Sequence, residues 1–135
     1  MVVPVIASHS NFCSISDHVR NLPDEIAKEI VNRNGLIGIN FLRLFLHRDN
    51  PEMLVENILY GFKSGAANAL CFWADFFYTK SHSDPSRQPF YFREHENAEK
   101  YQGILKSLGK ILSREEIASL AYNNVVNFIQ RLYGV

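Results

Sequence analysis

Three apolar runs in this sequence lead into side chains able to do chemistry. Residues 2–7 give way to Ser8 and His9, residues 68–74 stop at Asp75, and residues 36–41 carry Asn40 near their close. Histidine and aspartate are ionisable groups suited to moving protons or holding a metal. In parallel α/β barrels the reacting groups stand at the C-terminal ends of the strands. A plainer reading stays open on these residues alone, because a strand leaving the core commonly ends on a polar side chain.

The elements that must position these groups can be read from patterning. The run 2–7 is continuous and rich in β-branched residues, as a strand buried on both faces reads, and the runs 36–41 and 68–74 read the same way. Between the first two, Asn21-Leu22-Pro23-Asp24-Glu25 offers a capping Asn, an early Pro and acids at the positive helix end. Ile26, Ile30 and Val31 then recur at helical spacing until Asn34-Gly35. A second helix opens at Asn50-Pro51, carries Leu54, Val55, Ile58, Leu59 and Phe62 on one stripe, and closes near Gly65. This alternation predicts an α/β fold with parallel, adjacent strands, right-handed crossovers and helices packed on one side of the sheet.

The 79–97 stretch is polar and irregular, with Pro85, Pro89 and the aromatic patch Phe90-Tyr91-Phe92, and predicts a long loop lying over the strand ends. The remainder of the chain reads as helical. One stretch carries Tyr101, Ile104, Leu105 and Leu108. The next opens on a capping box at Ser113 and Glu116, ahead of Ile117, Leu120, Val125, Phe128, Ile129 and Leu132.

Composition narrows the function classes. With 135 residues, 47% of them hydrophobic, the chain can bury one modest core, so one domain at most is expected. Fourteen basic residues balance fourteen acidic ones, and no basic run interleaves with aromatics, which argues against nucleic acid as a partner. No apolar stretch is long enough to span a bilayer, and the opening run, broken by Pro4, is too short for a signal peptide. Cys13 and Cys71 have no CxxC spacing, which fits a reducing, cytoplasmic setting.

The specific signal is a set of strings. Pro4-Val5-Ile6-Ala7-Ser8-His9-Ser10-Asn11, Arg20-Asn21-Leu22-Pro23-Asp24-Glu25, Gly35-Leu36-Ile37-Gly38-Ile39-Asn40-Phe41, Asp75-Phe76 and Asn123-Asn124-Val125-Val126-Asn127-Phe128 together resemble the renal or membrane dipeptidase family of zinc peptidases. The resemblance implies that residues 1–135 are the C-terminal segment of a (β/α)8 barrel, a fold that typically needs ~250 residues. It implies that His9 binds one of two zinc ions, that Arg20 grips the carboxylate side of a dipeptide substrate, and that Asp75 is the acid/base group serving a metal-activated water.

Two departures qualify it. The family shows glycines before the aspartate and a second Asp two positions after it, where this sequence has Trp73-Ala74 and Phe77, so a reshaped pocket is expected. The family also supplies a His-x-Asp pair, a bridging Glu and another His from earlier strands, and none has a counterpart here. One histidine leaves the ligand set incomplete. The expectations are therefore a zinc-dependent dipeptidase whose C-terminal fragment is inactive alone, or a non-catalytic remnant that keeps the fold. Expected partners are a dipeptide substrate, the missing N-terminal barrel half, in the same or a separate chain, and further copies of this chain, since its edge strands are left unpaired. His18, His47, His82 and His95 match no family ligand and are expected at the surface, with His82 and His95 in or beside the long loop.

Overall fold

The computed structural model describes residues 3–134. Three strands, β1 (Ile6–Ala7), β2 (Leu36–Ile39) and β3 (Leu70–Phe72), form one sheet in the order β1-β2-β3 with both pairings parallel. Ile6 lies opposite Leu36, while Ile37, Gly38 and Ile39 lie opposite Leu70, Cys71 and Phe72. Helix α1 (Asp24–Asn32) carries the chain from β1 to β2, and a short α2 (Arg43–Leu46) followed by α3 (Met53–Lys63) carries it from β2 to β3.

The strands are shorter than the runs that announce them. Val2 lies outside the described residues, and Val3 to Val5 have no strand geometry, although the Val5 carbonyl accepts from the Leu36 N–H at 3.1 Å. Burial on both faces holds for β2, which is buried at every position, and fails for β1. Val3, Val5 and Ile6 are 60%, 42% and 43% exposed. β1 is an edge strand, and among the described residues no strand pairs with its outer side.

Helices cover both sheet faces, not one. Ile37, Ile39 and Leu70 join the main core with Ala27 and Ile30 of α1 and Leu54 and Ile58 of α3. Leu36 and Cys71 pack instead with Val125 and Phe128 of α6 (Asn124–Tyr133). The cause is the two-residue period of a strand: β2 is apolar on both faces, so both require cover.

Local chemistry explains the element boundaries. Pro23, not Asn21, is the N-cap of α1, and no side chain caps it. The chain leaves α1 through Asn34, at φ +54°, into Gly35, where a Cβ would meet the Val5 carbonyl at 2.0 Å, so β1 can approach only a glycine. Ahead of α3, the Asn50 side chain accepts from the Glu52 N–H at 3.0 Å and fixes the turn before the helix starts.

After the long loop, α4 (Tyr101–Leu108) buries Ile104 and Leu108, and α5 (Arg114–Ala118) opens on the expected capping box. Ser113 Oγ accepts from the Glu116 N–H at 3.2 Å while the Glu116 carboxylate accepts from the Ser113 N–H at 2.7 Å. Between α5 and α6, Ser119–Asn123 make a π turn. Leu120 within the turn and Asn124 and Phe128 after it are all buried. Asn124 Nδ2 then donates to the carbonyls of Ala67 and Leu70, each at 2.8 Å, and anchors the helix to the entry of β3. Among the described residues no helix is long and apolar enough to cross a membrane.

Candidate active site

Parallel strands place the segments that succeed them at one end of the sheet. Those after β1 and β2 are joined there by buried asparagines. Asn11 Nδ2 donates to the Asn40 carbonyl at 3.1 Å, and Asn11 Oδ1 accepts from the Asn40 N–H at 3.0 Å. Asn21 Nδ2 reaches the carbonyls of Ser16 and Phe45, both at 2.8 Å. Asn57 of α3 accepts from the Phe12 N–H at 3.0 Å. All four asparagines are buried, so each bond replaces one that water would make, and its loss would leave an unpaired polar group inside. Asn40 Nδ2 is itself buried without a partner.

His9 and Asp75 stand at the exits of β1 and β3 in backbone conformations that side chains rarely adopt, with φ of +128° and +60°. Such geometry costs of order 1–3 kcal/mol and persists where surrounding structure imposes it. Both side chains are partly buried. His9 Nδ1 lies 2.7 Å from Ser8 Oγ, which steadies the ring and leaves Nε2 free. The imidazole lies against Trp73, with ring centroids 6.4 Å apart and planes at 29°. Trp73 in turn lies over Gly38, where a Cβ would come within 2.6 Å of the Trp73 Cβ. The bulky residue that departs from the family pattern thus fills the space between the ends of β1 and β3.

The Asp75 carbonyl accepts from the Tyr91 hydroxyl. Burial, and then the Asp75 carboxylate, push the Tyr91 phenol well above its usual value. The loop is held down at the same place: Tyr91 bridges to Leu42, and the Arg43 N–H donates to the Phe90 carbonyl at 2.9 Å. The 79–97 stretch therefore does return over the sheet end, with one 3-10 turn at Pro85–Arg87.

Arg20 is exposed, with its guanidinium carbon 5.6 Å from the centre of the Phe45 ring in α2. It sits at the sheet end that carries His9 and Asp75. No hydrogen bond or ion pair among the described residues joins any two of the three. The structure links His9 to the β3 exit through Trp73 and sets Arg20 apart on the β1–α1 segment.

Of the remaining histidines, His95 corrects the surface expectation. It is 5% exposed, packed against Phe41 and Phe92, with Nδ1 unpartnered. Burial depresses its pKa. His18, His47 and His82 each accept a backbone N–H two residues on, at 3.1 Å, through Nδ1.

Among the described residues no three His, Cys, Asp or Glu side chains are grouped to hold a metal ion. His9 brings one donor and an orienting hydroxyl, which does not make a site for zinc within this chain.

The family model for membrane dipeptidase, peptidase family M19, matches residues 2–132. Dipeptidase tcpJ of Claviceps purpurea is 25% identical over 99% of this chain, which spans 31% of that relative's length. An uncharacterised dipeptidase of Schizosaccharomyces pombe is 32% identical over 44% of the chain and 15% of its own. Among solved structures, dipeptidase AC, a metallopeptidase of family M19, superposes with a TM-score of 0.83 at 17% identity, over 98% of this chain and 39% of that one. A Rhodobacter sphaeroides metallopeptidase, liganded with a phosphinate mimic of L-Ala-D-Ala, gives 0.80 at 17% identity, over 96% and 36%. The α/β arrangement of parallel strands and helices is thus that of M19 dipeptidase structures, and the chain spans about a third of the curated dipeptidase it matches end to end. By the family model and the breadth of its match, the chain belongs to the membrane dipeptidase family, peptidase family M19.

Proposed function

We propose that this chain is the C-terminal segment of a (β/α)8-barrel zinc dipeptidase and that it hydrolyses dipeptides only when the rest of the barrel is present. The observation that carries the reading is the placement of His9 and Asp75 at the exits of β1 and β3, both in left-handed backbone geometry. Arg20 binds the substrate carboxylate through its planar fork. Asp75 passes a proton to the leaving amine. His9 supplies one metal donor, and the others come from polypeptide beyond these residues.

The unpaired edge of β1 suits a strand of the missing N-terminal portion, supplied as a separate chain, or a second copy of this chain. A second reading, a non-catalytic remnant or binding subunit, is favoured by Trp73 and Phe77, which stand beside Asp75 where the family pattern has a glycine and a second aspartate.

The test is dipeptide turnover by the chain alone and after mixing with a polypeptide carrying the missing ligands. No turnover alone and turnover in the mixture is the expected result. In the active mixture, His9→Ala should lower zinc content and turnover together, whereas Asp75→Asn should retain zinc and slow turnover by about 10²-fold or more. Zinc-dependent cleavage by the chain alone, abolished by His9→Ala, would refute the fragment reading.

A further inference from the structure

Between α2 and the 82–90 loop lies a cleft of about 570 Å³, lined by Arg43, Arg48, Arg87 and His82 over Phe77 and Phe90. No carboxylate lines it. The three guanidinium groups are not equivalent. Arg43 is committed, donating to the carbonyls of Arg48 and Pro89 and lying over Phe92 at 5.2 Å. Arg87 pairs with Asp84 at 3.2 Å. Arg48 makes no ion pair among the described residues. His82 accepts the Asp84 N–H at Nδ1, 3.1 Å away, so its proton resides on Nε2 as a second donor.

The position of the cleft matters as much as its charge. Phe45, against which Arg20 rests, lines it, and so does Phe77, two residues past Asp75. It therefore adjoins, through Phe45, the group assigned to the substrate carboxylate and, along the chain, the group assigned to proton transfer. Resting on that dipeptidase reading, we propose that this cleft is a side-chain subsite for an acidic residue, aspartate or glutamate, of the substrate. Arg48 is the counter-charge and His82 Nε2 a hydrogen-bond donor. The edges of Phe77 and Phe90, with ring centroids 5.1 Å apart, give the side-chain methylenes an apolar floor and reduce water at the ion pair. Arg48 acts as a specificity residue, remote from the bond that is cleaved.

The decisive comparison uses the isosteric pair Ala-Glu and Ala-Gln, with glutarate as a probe that contains no peptide bond. Binding to the isotope-labelled full chain is followed by NMR. Ala-Glu is expected to bind about tenfold more tightly than Ala-Gln, and glutarate to shift the resonances of residues 82–90. Arg48→Gln should bring the two dipeptide affinities together and abolish the glutarate response, while Arg20→Gln weakens both dipeptides. Equal affinities, or a preference for Ala-Glu that survives Arg48→Gln, would overturn the subsite. If neither dipeptide binds but glutarate shifts the cleft through Arg48, the cleft is an anion site apart from the dipeptide and the subsite falls, while the dipeptidase reading is decided separately by turnover in the completed barrel.

Discussion

Asn11 and Asn40 hold one another as two strand residues would, except that one partner uses its side chain. The Asn11 amide donates to the Asn40 carbonyl at 3.1 Å and accepts from the Asn40 N–H at 3.0 Å. A primary amide presents the same donor and acceptor pair as a peptide group. It therefore continues the pairing of β1 with β2 past the point where the backbones diverge.

Asn11→Ala should accordingly destabilise the chain by about 2–4 kcal/mol, because two backbone groups of Asn40 lose their partners in a buried setting. Urea unfolding measures this directly. A loss below about 0.5 kcal/mol, the size of a surface change, would show that the pairing is incidental.

Gly38→Ala is expected to cost about 1–3 kcal/mol through overpacking, since the new methyl would meet the Trp73 Cβ at 2.6 Å. Pairing it with Trp73→Gly should recover most of the loss, and Trp73→Ala should not, because the nearest atom is the β-carbon itself. Equal recovery in the two double variants would contradict this contact.

Asp75→Gly should raise thermal stability while ending any proton transfer at that position. Glycine occupies φ +60° without steric cost, so relief of about 1 kcal/mol is expected. Thermal unfolding of the variant at neutral pH gives the answer, and a lower Tm would mean that the carboxylate contributes more than its backbone costs.

His95 should make the fold acid-sensitive. Burial lowers its folded pKa below the ordinary 6.5, while the unfolded chain titrates normally. Its neutral form therefore contributes stability above that value, and the contribution is lost as pH falls from 6.5 towards the folded pKa. Glu94 opposes the shift and is the charged group acting on it. Denaturant midpoints measured from about pH 7.5 down to about pH 5 should decline, and His95→Leu should flatten that part of the profile.

Much of the frame is legible in the sequence, and particular residues show why the remainder is not. The apolar runs around Ile37 and Leu70 locate β2 and β3, and Ser113 with Glu116 locates a helix start, because those signals are local. Asn21 has the residue type of a cap and is used as a buried cross-brace, a choice made by contacts with Ser16 and Phe45. His95 is covered by Phe92, near in sequence, and by Phe41, distant in sequence, and the second contact leaves no local mark. Of the candidate site, His9, Arg20 and Asp75 stand out by their strings. The left-handed backbone at two of them and the Trp73 spacer between strand exits are tertiary facts.

The π turn at Ser119–Asn123 sets local preference against global need. Removing one residue from the regular helix α5, with the turn kept, would give every succeeding side chain a new bearing, about 100° away from its present one. Asn124 would lose the carbonyls of Ala67 and Leu70, and Phe128 its place on Leu36 and Cys71. In this closing segment the length of the chain is therefore under tighter constraint than the identity of most exposed residues. Insertions and deletions should be rejected where substitutions pass.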